Sequence, residues 1–197
     1  MISIHILYKH THCTIIGWMI FVLSSCCSNE SLKLDAQISS WAPYQANQQI
    51  RFQNENQDSL SFRIRKIHRQ ETGQDKVCGD YQIETVETIL TNQADTSFQF
   101  NVVLTQGVLV KLNSYYRQPP AKNVEALFNS VSELYITNDW RDQYLKEITL
   151  NGKVYKNVLH IYGNNVPNQV SFIEIYYSQN MGLVAFNNTA GGWFYLK

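Results

Sequence analysis

Apolar and polar residues alternate along most of the chain, which is typical of β-strands that bury one face and expose the other. Leu60, Phe62 and Ile64, for example, are apolar, and the residues between them are polar. Short turn-like segments separate the alternating stretches, and Asn151-Gly152 is a strong signal for a two-residue hairpin turn. The pattern predicts an all-β domain, an antiparallel sandwich or strongly curved sheet of about eight to ten strands.

One segment departs from this period of two. Between residues 123 and 134 apolar residues recur at spacings of three and four, which is the period of an amphipathic helix. These residues are Val124, Leu127, Phe128, Val131 and Leu134. The preceding pair Pro119-Pro120 would end a strand and lead into a helix. The sequence therefore predicts one helix over about 123–134, packed on the sheet.

The N-terminal pattern is different again. Residues 15–23 form an uncharged apolar run behind the basic residue Lys9. The run is much shorter than the roughly 20 residues needed to cross a membrane as a helix, but it matches the central region of a signal peptide. The polar segment that follows carries little apolar area. We expect residues 1–25 to be an export signal, 26–40 a flexible tether and 41–197 a single β domain.

The end of the apolar run indicates how the signal would be removed. Leu23-Ser24-Ser25-Cys26 resembles the bacterial lipobox, where the lipoprotein signal peptidase cuts before an acylated cysteine. The resemblance implies that Cys26 carries lipid, and each buried methylene of its acyl chains would contribute about 0.8 kcal/mol to membrane anchoring. An ordinary secretory peptide with a cysteine at this position by chance is the alternative.

Cysteine usage is compatible with export. With Cys13 in the signal and Cys26 lipidated, Cys27 and Cys78 remain. They could form a disulfide in an oxidising compartment, or Cys78 could be a small buried thiol, which we prefer. No Cys-x-x-Cys pair is present, so the sequence predicts no zinc site, and we expect no cofactor.

The C-terminal region carries a second resemblance. The segments LNGKVYKNVLHIYG (150–163) and IEIYYSQNMGLVAF (173–186) and the closing GWFYL (192–196) are similar to a pattern found at the ends of small Bacteroidota lipoproteins. The resemblance implies an exported, mostly β domain of no assigned activity, anchored to the bacterial outer membrane on its periplasmic or its surface side. It implies no catalytic residue.

Charge and motifs restrict the chemistry. Lys and Arg together number 16, as do Asp and Glu, so net charge offers no attraction for nucleic acid. His68 and His160 have no second His, Cys or carboxylate at ligand spacing, so we predict neither a metal site nor a catalytic base there. No nucleophile elbow, phosphate loop or His-Glu-x-x-His motif is present. The sequence favours a binding protein over an enzyme and predicts no catalytic residue.

Three arginines form a local basic feature. Arg63, Arg65 and Arg69 occupy one face of a predicted strand and could contact phosphate, sulfate or carboxylate groups of a lipid or glycan. The alternative, which we favour, is a solvated strand face that pairs with acidic residues such as those of IETVE (83–87). Such cross-strand ion pairs contribute about 0.2–1 kcal/mol each.

Aromatic residues suggest a further surface. The chain contains 12 Tyr, 9 Phe and 4 Trp, and several are adjacent, so rings fall on both faces of their strands. Rings on an exposed face would suit a carbohydrate or a protein partner. The candidates are Tyr115, Tyr116, Tyr176, Tyr177 and Trp193. A sheet covered on both faces is the alternative and the simpler explanation.

The leading functional hypothesis is a non-enzymatic binding or assembly module of the bacterial envelope, anchored to the membrane by its N-terminal lipid and recognising a glycan or another envelope protein. A carrier or chaperone for a hydrophobic ligand is the second, and an envelope hydrolase the third. A filled core with an exposed aromatic surface would favour the first hypothesis. A cavity of several hundred Å³ would favour the second, and converging ionisable groups in a cleft the third.

Overall fold

The computed structural model describes residues 31–75, 79–107, 109–116, 122–135, 141–163 and 171–197. The expected signal peptide, the lipobox residue Cys26, and both Cys27 and Cys78 lie outside these ranges. The expectations about them therefore stay predictions.

The described residues form one short helix and a single twelve-stranded sheet. In chain order the elements are α1 Ala36–Ser39, β1 Gln49–Gln53, β2 Ser59–Asp75, β3 Gly79–Asn92, β4 Phe98–Thr105, β5 Leu109–Tyr116, β6 Lys122–Asn129, β7 Leu134–Tyr135, β8 Gln143–Leu150, β9 Lys153–Tyr162, β10 Phe172–Ser178, β11 Gly182–Asn188 and β12 Gly192–Leu196. The strand order is β7-β6-β5-β4-β3-β2-β1-β12-β11-β10-β9-β8. Neighbours in the sheet are therefore neighbours in the chain, except that β1 pairs with β12. The predicted all-β antiparallel class is confirmed, as one sheet rather than two stacked sheets and with more strands than expected.

The chain divides into two compact units. In its described part the smaller unit consists of Ser31 and the ends of β2 and β3, Thr72–Asp75 and Gly79–Gln82. There the Tyr81 ring lies over Gly73 so closely that a Cβ atom at Gly73 would be 2.5 Å from the ring. The larger unit comprises Leu32–Glu71 and Ile83–Lys197, and all further description concerns this unit.

The sheet of the larger unit curls until its two edges meet. The Tyr135 hydroxyl of β7 donates to the Gln143 carbonyl of β8 at 3.1 Å, and the rings of Phe128 and Tyr144 lie 5.1 Å apart across the same seam. The sheet is thus a nearly closed barrel. These side-chain contacts join the two edges at the start of β8, while β7 and β8 are not paired with each other in the sheet.

The interior of the barrel is filled with aromatic rings. In β4, Phe98 and Phe100 are buried while the residues beside them are partly exposed, so the predicted alternation is present. The ring of Phe98 stacks on Phe172 at 4.3 Å, and Phe186 meets Phe52 and Phe172 edge to face at 5.1 Å each. Such tilted contacts are the preferred geometry for aromatic pairs.

The chain before β1 packs on one end of the barrel. Leu32 forms an isolated parallel β-bridge with Ile83. Ile38 of α1 is 1% exposed, and the centre of the Trp41 ring lies 5.4 Å from that of the Phe128 ring. The Tyr177 hydroxyl donates to the Trp41 carbonyl. Part of the segment that the sequence assigns to the tether therefore packs on the sheet: Ile38 is buried and Leu34 is half-buried, whereas Leu32 is 38% exposed.

Tyr44 holds this end segment to β11. Its hydroxyl accepts a hydrogen bond from the Leu183 amide at 2.5 Å, and its ring covers Gly182. Gly182 has a φ of +77°, and a Cβ atom there would lie 2.1 Å from the Tyr44 hydroxyl oxygen. Glycine is therefore required both by the backbone conformation and by the ring above it.

The helix expected over 123–134 is wrong. This segment forms β6, a turn and β7, and the buried residues of β6 alternate as in any other strand of the sheet. They are Val124, Ala126 and Phe128. Val131 and Leu134, which completed the helical period, are 71% and 64% exposed. The turn is closed by Asn129, whose side-chain oxygen accepts from the amides of residues 131 and 132.

Candidate functional site

A groove lies on the outer face of β2, β3 and β4, with a volume of about 1020 Å³. We call it the arginine groove; its principal side chains are Arg63, Arg65, Arg69, Glu87, Gln99 and Asn101. Because Phe62 and Ile64 of β2 are buried in the barrel, the alternation of the strand turns the arginines outward. The sequence correctly placed the three arginines on one strand face.

The arginines of the groove differ in their partners. Arg69 forms an ion pair with Glu87 at 3.0 Å, and Glu87 also accepts from the Asn101 side chain at 3.1 Å. Arg69 thus has the cross-strand partner that the alternative interpretation expects. Arg63 and Arg65 are exposed, and no acidic side chain of the described residues lies within ion-pair distance of either. Two unneutralised guanidinium groups therefore face the groove.

Two amide oxygens next to the groove lack hydrogen-bond donors. Asn101 of β4 and Asn113 of β5 are opposite each other in the sheet, and Asn113 is 3% exposed. The side-chain oxygens of both are buried and, among the described residues, have no donor. A buried acceptor without a donor costs about 1–3 kcal/mol of folding free energy. The described part of the protein therefore does not satisfy the hydrogen-bonding capacity of these two amides.

A second surface lies on the outer face of β9, β10 and β12. We call it the aromatic row; its members are Tyr162, His160, Tyr176, Trp193 and Tyr195. His160 stacks on Tyr176 at 4.2 Å with 14° between the planes, and Tyr176 lies 5.7 Å from Trp193. Ala185 of β11 is opposite both Tyr176 and Tyr195, so a methyl group separates the rings of the flanking strands.

Polar groups border the aromatic row. The Glu174 carboxylate lies 3.2 Å from Nε2 of His160, and the Arg141 guanidinium lies 4.8 Å from the centre of the Tyr162 ring. Burial lowers the pKa of His160 in spite of the opposing effect of Glu174. The imidazole is therefore neutral at pH 7, which makes its Nε2–H the donor to the carboxylate.

The hydroxyls of Tyr176 and Tyr195 keep their protons at neutral pH. Burial, followed by the charge of Glu174, raises the pKa of Tyr176 to about 12. The pKa of Tyr195 is also raised, first by burial and then by Glu55. These groups therefore offer hydrogen bonds and ring faces rather than proton transfer at neutral pH.

No match to this chain was found among protein-family models, curated proteins or solved structures. The resemblance to Bacteroidota lipoproteins accordingly stays a prediction. Within the part of the chain that the structure describes, no helix is long and apolar enough to span a membrane. In the same ranges, no three His, Cys, Asp or Glu side chains come close enough together to hold a metal ion.

The structure brings together only some of the predicted aromatic residues. Tyr176 and Trp193 belong to the aromatic row, whereas Tyr177 points into the barrel, is fully buried and is not part of a surface. Tyr115 and Tyr116 belong to β5, but their side chains lie outside the described part. Sequence reasoning missed His160, Tyr162 and Tyr195, although alternation along β9 and β12 places them on the outer face.

A smaller opening lies at the barrel end where the β3–β4 and β11–β12 turns approach each other. It has a volume of about 280 Å³, and its apolar lining includes Leu60, Ala94, Phe98 and Phe194. Pockets for small molecules usually measure about 300–1,000 Å³, so this opening is just below that range. The ring-filled interior and the size of this opening give little support to a hydrophobic-ligand carrier.

Proposed function

We propose that the protein is a non-enzymatic glycan-binding module of the bacterial envelope, held at the membrane by a lipid on Cys26. The aromatic row supports the glycan-binding part most directly. Sugar rings have apolar C–H faces that stack on aromatic rings, while their hydroxyl groups need hydrogen-bond partners at the rim. Tyr176 and Trp193 supply the rings, and Glu174 and Arg141 supply polar groups beside them.

Partial exposure of the rings in the aromatic row is the observation that most supports glycan binding. Tyr162, Tyr176, Trp193 and Tyr195 are each partly exposed, although aromatic residues on a barrel surface gain stability when they are covered. A row of such rings crossing β9 to β12 presents an extended and rigid strip, because a twelve-stranded barrel holds the strands in place. A rigid strip lowers the entropic cost of binding a flexible polysaccharide.

Glycan binding can be tested by affinity electrophoresis in gels that contain one polysaccharide each, chosen from a panel of neutral and acidic polymers. We expect retardation of the wild-type protein by at least one polymer and its loss in Trp193→Ala. Val131→Ala is the matched control, since Val131 is an exposed apolar residue outside the row. Equal retardation of wild type, Trp193→Ala and Tyr176→Ala would refute the role of the row.

The anchor is tested separately by metabolic labelling with a palmitate analogue. We expect Cys26→Ala to abolish labelling and Cys27→Ala to retain it, because only Cys26 follows Leu23-Ser24-Ser25. Labelling that survives Cys26→Ala would exclude this cysteine as the lipid attachment point.

A further inference from the structure

The arginine groove and the aromatic row lie on the same outer face of the barrel. In the strand order, only β1 separates β2 of the groove from β12 of the row. Gln53 of β1 is opposite Ser59 of β2 on one side and Tyr195 of β12 on the other. Arg63 is four residues beyond Ser59, so strand spacing and rise place Arg63 and Tyr195 roughly 16 Å apart. A single extended ligand can reach both surfaces.

We propose that the arginine groove binds a carboxylate or sulfate group carried by a saccharide, so that the glycan recognised by this protein is acidic. This inference rests on the proposed glycan-binding function and specifies the class of glycan. In this proposal Arg63 and Arg65 bind the anionic group of the saccharide, and Asn101 accepts hydrogen bonds from the sugar hydroxyl groups next to it.

The two guanidinium groups determine the charge of the ligand. Arg63 and Arg65 have no acidic partner among the described residues, whereas Arg69 is already neutralised by Glu87. Guanidinium groups bind planar carboxylates and sulfates through paired hydrogen bonds. An anion entering the groove thus meets two cations with free donors, and Arg69 contributes little beyond holding Glu87.

The amide oxygens indicate that the anion belongs to a saccharide. The donation from Asn101 to Glu87 fixes the orientation of this amide and leaves its oxygen as an unmatched acceptor beside the groove. Asn113 lies behind it with a second unmatched acceptor. A fully ionised phosphate or sulfate brings no donor, whereas sugar hydroxyl groups do. The Asn101 oxygen is buried in this arrangement, so a hydroxyl reaches it only when the side chain turns about its soft final torsion and gives up the hydrogen bond to Glu87.

The test uses pairs of polysaccharides that share a backbone and differ in charge, such as dextran with dextran sulfate and methyl-esterified with free polygalacturonate. Binding is measured by affinity electrophoresis with the intact protein, and circular dichroism confirms that each variant is folded. We expect the acidic member of a pair to bind more tightly. Arg63→Gln and Arg65→Gln should each weaken this binding about three- to ten-fold while leaving the neutral member unaffected.

Lys153→Gln is the control, because Lys153 is an exposed cation at the start of β9, beside the β8–β9 turn and outside both the arginine groove and the aromatic row. Arg63→Lys keeps the positive charge and should bind the acidic polymer more tightly than Arg63→Gln does. Such a recovery would show that Arg63→Gln weakens binding through the lost charge and not through a change in the fold. Higher salt should weaken the acidic polymers selectively.

The outcomes separate this inference from the proposed function. If Arg63→Gln and Arg65→Gln have no more effect than Lys153→Gln while Trp193→Ala still abolishes binding, the arginine groove is not the site and glycan binding stands. If millimolar free sulfate competes as well as the sulfated polymer, or vesicles of anionic phospholipid bind through Arg63, the anion is not carried by a saccharide. If no polymer binds, the proposed function fails, and this inference fails with it.

Discussion

Gly182 and Gly152 have nearly the same backbone conformation but different surroundings. Their φ angles are +77° and +75°, a region in which a residue with a Cβ atom loses about 1–2 kcal/mol. Nothing lies within 4 Å of the position that a Cβ atom would take at Gly152. At Gly182 the same atom would lie 2.1 Å from the Tyr44 hydroxyl oxygen and 2.2 Å from the ring carbon that carries it. Alanine at the two positions therefore separates backbone strain from steric overlap.

The Gly182→Ala protein should lose about 3–5 kcal/mol of unfolding free energy, and the Gly152→Ala protein about 1–2 kcal/mol. The difference arises because the Tyr44 ring must move away from the added methyl group. When it moves, the Leu183 amide loses the acceptor that now lies 2.5 Å away, and an unpaired buried amide costs about 1–3 kcal/mol.

Urea unfolding followed by tryptophan fluorescence and circular dichroism measures both losses, with free energies obtained by linear extrapolation. Tyr44→Ala provides a second check, because in its background Gly182→Ala should cost no more than Gly152→Ala does alone. Equal losses for Gly182→Ala and Gly152→Ala in the wild-type background, or full additivity with Tyr44→Ala, would refute the steric explanation.

Two further predictions concern the aromatic row and the barrel end. Because the pKa of His160 in the folded protein lies below its ordinary value of about 6.5, the stability it contributes is complete above that pH and declines as pH falls through the folded pKa. Urea midpoints measured from pH 7.5 to pH 5 should therefore fall less in His160→Gln than in wild type; identical profiles would contradict this. Trp41→Ala should cost about 3–5 kcal/mol because the ring is enclosed by the barrel end, whereas Leu134→Ala should stay within about 0.5 kcal/mol. Thermal and urea unfolding compare the two, and a large loss for Leu134→Ala would contradict its exposed position.

The local parts of the fold could be predicted from the sequence. Alternation in β2 and β4 identified the buried faces, and Asn151-Gly152 indeed forms the turn between β8 and β9. These features depend on side chains close together in the chain, where period and turn preference act directly. The period of three and four around Phe128 was misleading for the same local reason. Only the packing of β6 on its neighbours shows that Val131 and Leu134 belong to a different, exposed part of the chain.

The nonlocal parts could not be predicted. Pairing of β1 with β12 joins the two ends of the domain, and no property of either segment identifies the other. The aromatic row depends on the same kind of information. His160 meets Tyr176 because they are opposite each other in neighbouring strands, and residues outside the described ranges connect those strands. A histidine that looks isolated in the sequence therefore becomes part of a stacked surface only through register.

The chain contacts the barrel from Leu32 onward, and this limits how far a lipid anchor at Cys26 would let the barrel lie from the membrane. If Cys26 carries the lipid, six residue steps connect it to Leu32, and even a fully extended chain of that length reaches only about 20 Å. Trp41 and the barrel end it fills would then stay close to the bilayer. The barrel would lie close to the membrane surface and would meet its ligands within the first few nanometres above the lipid headgroups. Long polymers that lie along the membrane could reach it there, whereas structures held further away could not.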